Sequence, residues 1–170
     1  MAKLTTTVSR RESQQLERLL IAGQSPGAKV HESGIPRDDA SGGRLRGLLA
    51  IDRTTFYDPV RIAIVPQGYC YAGKAGSGDL LPRPECAATW HDRLLAQLPN
   101  VELVVAVGRY AQEFHLGDRN RKTLTETVRA WRDFSPTVVL VPHPSWHNNR
   151  WLRLNPWFEN ETVAYLRRRR

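Results

Sequence analysis

The chain has 170 residues, 41% apolar and 25% charged, with 25 Lys and Arg against 17 Asp and Glu. That apolar share is too high for a disordered chain, and the length suits one domain with a buried core. No apolar run approaches the roughly 18 residues of a membrane span, and the opening MAKLTTTVSRRES lacks the apolar region of a secretion signal. Two cysteines are too few for a disulfide framework and point to the cytosol. The formal charge of +8 suggests a polyanionic partner, but the terminal run Arg167–Arg170 supplies half of it.

Residues 1–18 are expected to form an N-terminal helical segment, because Ser9 and Glu12 make a capping-box pattern. Four short apolar runs then follow: Leu19–Gly23, Arg61–Pro66, Val101–Gly108 and Thr137–Pro142. They are β-branched and nearly unbroken, as strands covered on both faces are. Roughly thirty to forty residues separate them, which is crossover spacing, so they predict a parallel sheet. Between them, a short helix is expected over Gly43–Leu49. Pro84–Leu98 opens with Pro at its first position and sets Ala87, Trp90, Leu94 and Leu98 on one face. Thr123–Phe134 starts with a Thr-x-x-Glu box, and a last helix runs from Asn155-Pro156 into the four arginines. Residues 19–170 therefore predict one α/β domain, a three-layer α/β/α sandwich on a central four-stranded parallel sheet. In such sheets ligands bind beyond the carboxyl ends of the strands. Those ends run into Gly23-Gln24-Ser25-Pro26-Gly27, into Gln67-Gly68-Tyr69-Cys70, and into His143-Pro144-Ser145-Trp146-His147-Asn148-Asn149-Arg150-Trp151.

Gly23–Gly27 after the first strand and His143-Pro144-Ser145 after the last resemble the two motifs of the uracil-DNA glycosylase superfamily. The resemblance covers about Leu19 to the C-terminus. Gly34-Ile35-Pro36 followed by Asp38-Asp39-Ala40-Ser41-Gly42 is similar to the segment after motif one in thermophile-type members. Cys70 and Cys86, sixteen residues apart, resemble the downstream pair of the iron–sulfur branches, in which a C-x-x-C supplies two further ligands. No such C-x-x-C is present here, and two thiolates cannot complete a cluster. The pair is read as free thiols, or as two of four ligands of a cluster finished from elsewhere. No cofactor is otherwise expected.

The resemblance implies a hydrolase that flips a deaminated base out of DNA and cleaves its N-glycosidic bond, acting as a monomer. His143 would donate to the departing base. Motif one has neither of the family's acids, since Gln24 and Ser25 stand there, and an amide orients water without accepting its proton. Asp39 is the remaining candidate; Asp38 and Asp39 are equally readable as caps of the following helix. Arg37 replaces the aromatic that stacks on the base, and Gln67 offers an amide near the family's base-reading Asn. Trp146 or Arg150 would fill the vacated stack, with Asn148 and Asn149 on phosphates or neighbouring bases. Ser25, Pro26, Gly27 and Ser145 would line the backbone path. A non-catalytic DNA-binding relative is the second reading, supported by the missing motif-one acid. A nucleotide-binding domain of unrelated type is disfavoured, because no glycine-rich phosphate fingerprint follows the first strand.

Overall fold

Four parallel strands cross the middle of the protein, each a short apolar run buried on both faces. The computed structural model describes residues 19–76 and 78–169; the segment 1–18 and its Ser9/Glu12 pattern lie outside them. In chain order the strands are β1 (Leu19–Gly23), β2 (Ile62–Pro66), a two-residue hairpin β3 (Lys74–Ala75) and β4 (Gly78–Asp79), β5 (Leu103–Val107) and β6 (Val138–Val141). The main sheet has the order β2-β1-β5-β6, all parallel. Gly23 sits opposite Pro66, Ala22 opposite Ala106 and Val107 opposite Val141, so the carboxyl ends finish nearly level. The chain leaves β1 for one neighbour and returns to the other, which opens a crevice between β1 and β5 at that edge.

The helices are α1 (Ala28–Ser33), α2 (Ala40–Leu49), α3 (Arg53–Phe56), α4 (Pro84–Leu95), α5 (Arg109–Leu116), α6 (Leu124–Arg129), α7 (Asn149–Leu154) and α8 (Ala164–Arg169). They cover the sheet and complete the three-layer α/β/α sandwich. Ile21, Ala22, Val105–Val107 and Val139–Val141 are essentially sealed from solvent, and Leu45, Phe56, Ala111, Val128 and Phe158 pack on them. At roughly 25 cal/mol per Å² of apolar surface, this burial is the main stabilising term.

Local chemistry sets the helix limits. Glu126 N–H donates to Thr123 Oγ1 at 3.2 Å and Thr123 N–H to Glu126 Oε2 at 3.0 Å, the reciprocal box that starts α6. That helix is shorter than its pattern and tightens into a 3₁₀ turn at Trp131–Asp133, which still buries Trp131 and Phe134. The C-terminal helix contains a π segment, Phe158–Val163, before α8. In α4 the inward face differs from expectation: Trp90 is 49% exposed, and His91 takes its place in the interior. His91, Leu95 and Leu98 are the residues turned inward, because the imidazole finds a partner there. Its Nδ1 meets Tyr69 Oη at 3.0 Å, and its ring stacks on Phe114 with centroids 4.5 Å apart.

Phe114 also packs edge-on against His115. Burial lowers the pKa of His91, and burial with His91 nearby pushes that of His115 down to about 4. Unfolded histidines take up a proton near 6.5, so below that pH the unfolded chain binds more protons and native stability falls. The thermal midpoint is therefore expected to drop steadily from pH 7 to pH 4.5. His115→Phe, which removes one such proton and a buried Nε2 that has no partner, should flatten that slope when the two proteins are compared by circular dichroism.

Candidate functional site

The site gathers around the end of β1. The Gln67 backbone N–H donates to the Gly23 carbonyl at 2.7 Å, and Gly68 N–H to the Gln24 carbonyl at 3.3 Å, so the loop after β2 lies along motif one. Gln67 is only 4% exposed, and its Nε2 is buried without a hydrogen-bond partner. A buried amide donor left unmatched costs about 1–3 kcal/mol, so an acceptor is expected to meet it when the site is filled. Gln24 and Ser25 are half-buried beside it, Pro26 follows, and Gly27 caps α1.

Arg37 and Asp39 approach from the turn before α2. Arg37 has φ +59°, and its guanidinium lies directly over Gly23; a Cβ at Gly23 would fall 1.7 Å from a guanidinium nitrogen. Tyr57 holds the turn in place by donating its hydroxyl to the Pro36 carbonyl at 2.8 Å. Arg46 rests against the Phe56 and Tyr57 rings and reaches the Tyr57 hydroxyl. Asp38 is spent on an ion pair with Arg53, 2.6 Å apart. Asp39 caps α2, accepting from Gly42 N–H at 2.7 Å through Oδ1, and among the described residues its Oδ2 accepts no hydrogen bond. The capping role is real, and it engages one of the two carboxylate oxygens.

His143 follows β6. Gly108, at the end of β5, abuts it, since a Cβ there would lie 3.4 Å from His143 Cβ. Asn148 fixes the turn by donating Nδ2 to the His143 carbonyl at 2.6 Å. Neither ring nitrogen of His143 has a hydrogen-bond partner among the described residues. Burial first, then Arg37 and His147, push its pKa down to about 4, against the opposing pull of Asp39. A neutral imidazole therefore faces the crevice at physiological pH, able to donate from one nitrogen and accept at the other.

The rest of the motif-two loop forms the outer rim. Trp146 is 71% exposed and stacks on His147, their ring centroids 3.7 Å apart. Ser145 precedes that 3₁₀ turn, and Arg150 is exposed in the first turn of α7. Asn149 accepts from Arg44 at 2.6 Å, tying α7 to α2. Asn148 and Asn149 thus have scaffolding duties in this structure. Trp151 donates to Thr125 Oγ1 and packs against Trp157 and Phe158. The contributions of Tyr57 and Arg46 are invisible in the sequence, because neither lies in a motif and both act through backbone and ring contacts.

Cys70 is exposed and Cys86 half-buried, both as free thiols. Among the described residues no three His, Cys, Asp or Glu side chains are placed to hold a metal. Two thiols do not fit a cluster that requires four soft ligands. No helix among the described residues is long and apolar enough to cross a membrane.

Protonation of His143 should be visible directly. Its Cε1–H resonance is expected to titrate with a midpoint near pH 4 in an NMR pH series, whereas a midpoint near 6.5 would mean a solvated ring.

The structure is similar to a Methanosarcina acetivorans protein, solved by solution NMR and provisionally described as a uracil DNA glycosylase. The two share 16% identity over 91% of each chain, with a TM-score of 0.49. The Uracil DNA glycosylase superfamily matches residues 12–167, nearly the whole sequence and both motif loops. The chain belongs to the uracil DNA glycosylase superfamily.

Proposed function

We propose that the protein is a DNA-repair glycosylase that hydrolyses the N-glycosidic bond of uracil or a related deaminated base. The observation that carries this reading is a half-buried, neutral His143 with Asp39 and Arg37 as its charged neighbours, beside the loop in which the unpartnered Gln67 amide lies against Gly23. Within the superfamily, the likeness of the Gly34-Ile35-Pro36 and Asp38–Gly42 segments to the thermophile-type branch supports a member of that kind without the upstream C-x-x-C. The functional domain spans 19–170 and acts as a monomer.

Each group has a task set by its chemistry. The flipped base enters over motif one, where Gln67 Nε2 meets one of its carbonyl oxygens; this compensates the amide and part of the unstacking cost. As the C1′–N bond lengthens, charge accumulates on the base, and neutral His143 donates a hydrogen bond that strengthens with that charge. The sugar becomes oxocarbenium-like, and the Asp39 carboxylate stabilises it and accepts the proton of the attacking water. Gln24 orients that water through its amide. Outside the pocket, Trp146 on its His147 support fills the gap left in the duplex, and Arg150 reaches a phosphate.

A non-catalytic DNA-binding relative is the second reading. Two observations favour it: the cap bond consumes part of Asp39, and the Arg37 guanidinium occupies space beside Gly23.

One assay separates the two. A uracil-containing oligonucleotide incubated with the protein should acquire an alkali-labile abasic site. His143→Ala should lower the single-turnover rate by about 100–1000-fold, the usual loss when a donor to developing charge is removed. Asp39→Asn, which keeps the cap because Asn caps as well as Asp, should slow the reaction comparably with little change in melting temperature. Salt-sensitive DNA binding with no abasic product from uracil, hypoxanthine or xanthine would establish the binding-only reading.

A further inference from the structure

We propose that Arg37 is itself a catalytic residue: its guanidinium contacts the departing base and stabilises the negative charge that develops on it when the glycosidic bond breaks. The proposal rests on the glycosylase reading above and assigns the leaving-group chemistry of that site.

The side chain is held at considerable expense. Arg37 adopts φ +59°, a left-handed conformation that costs a branched-at-Cβ-free L-residue on the order of 1 kcal/mol and is ordinarily given to glycine or asparagine. Two buried glycines make room for it. Beside the guanidinium at Gly23, and beside the Arg37 carbonyl oxygen at Gly42, an added Cβ would lie only 1.7 Å away. The Tyr57 hydroxyl and the Arg46 guanidinium fasten the same turn through the Pro36 and Arg37 carbonyls, at 2.8 and 3.5 Å. Backbone strain of this kind persists where surroundings over-determine it, and it clusters at functional sites.

What the cradle holds is uncommitted. The Arg37 guanidinium is half-buried, yet it donates no hydrogen bond to any acceptor among the described residues. Its five N–H donors need an acceptor with negative character. The groups facing it are Asp39, Tyr57 and His143. Asp39 is held back by its cap bond to Gly42, and His143 presents a neutral ring. A half-buried cation that forms no ion pair among the described residues, beside a neutral donor, suits an anion that exists only during reaction.

The step balances without a further reactant. The C1′–N bond breaks with its electron pair passing to the base nitrogen. The conjugated ring spreads that charge onto its carbonyl oxygens, where the Arg37 N–H groups and His143 donate. Water forms the new C1′–O bond, its proton goes to Asp39, and the base anion takes a proton from solvent after release. Because Arg37 brings a full positive charge where the family has an aromatic face, catalysis here depends on charge transfer to the base more than on stacking.

The test compares two leaving groups. Single-turnover cleavage is measured on duplexes carrying uracil or 5-fluorouracil, whose electron-withdrawing fluorine stabilises the anion. Arg37→Gln should slow uracil release about 100-fold but 5-fluorouracil release by tenfold less, because the better anion needs less help. Affinity for an uncleavable uracil analogue should change less than about threefold, and Arg37→Lys should recover much of the rate. An equal loss on both bases, a loss confined to DNA affinity with a shallower salt dependence, or Gln and Lys variants that fail alike would each overturn the assignment. Wild-type protein that yields no abasic product from either base, nor from hypoxanthine or xanthine, overturns the glycosylase reading and this proposal together, whereas an active wild type with an unaffected Arg37→Gln variant overturns this proposal alone.

Discussion

The guanidinium of Arg37 lies over the backbone of Gly23, and the arrangement of the site follows from that contact. It requires a residue without Cβ at the end of β1, a second one at the start of α2, and a turn pinned in a left-handed conformation. It brings a cation to the carboxyl end of β1, the strand at which the sheet reverses its order. His143 then faces a positive neighbour inside a poorly solvated crevice, and both influences keep its ring neutral. Charge, protonation state and steric room at the site are thus set by one packing relation between a turn and a strand end.

Around it, the loops are braced by polar contacts that cross between elements. Tyr57 reaches back to Pro36, Arg44 spans from α2 to Asn149, and Asn148 closes the turn after β6 onto the His143 carbonyl. Each is a single hydrogen bond worth roughly 1 kcal/mol net. Together they hold three chain segments against one sheet edge, so the side chains proposed to act there are already held in place by the fold. The exposed Trp146–His147 stack is the contrasting part: it is built for contact with something outside the chain.

Two kinds of polar burial coexist in this fold and differ in purpose. His91 has one ring nitrogen on Tyr69 and rings on both sides, and His115 is enclosed beside it. These histidines belong to packing beneath α4 and α5, and their effect is on acid stability. Gln67 and the half-buried His143 lie just past the carboxyl ends of β2 and β6, and Gln67 Nε2, like His91 Nε2 and His115 Nε2, has no partner among the described residues. Position at the sheet edge, not satisfaction, separates the two pairs.

The sequence alone determined the architecture, because unbroken β-branched runs at crossover spacing have essentially one buried solution, a parallel sheet under helices. The capping box at Thr123 was equally legible, since its partners are three residues apart and local geometry decides the bond. Motif residues at strand ends were locatable because strand direction alone places Gly23, Gln67 and His143 on one edge. The Trp90 face was not, since helical periodicity cannot distinguish a large aromatic from a histidine whose partner, Tyr69, comes from another loop. Nor did sequence show that Asp38 would be drawn off by Arg53 while Asp39 kept an oxygen free, or that Asn148 and Asn149 would brace the loop. The Asp38 and Asn149 assignments depend on side chains meeting across 15 and 105 residues of chain, and Asn148 reaches back five residues to a carbonyl that only the folded turn presents. Such encounters are decided only when the sheet and its helices close on one another.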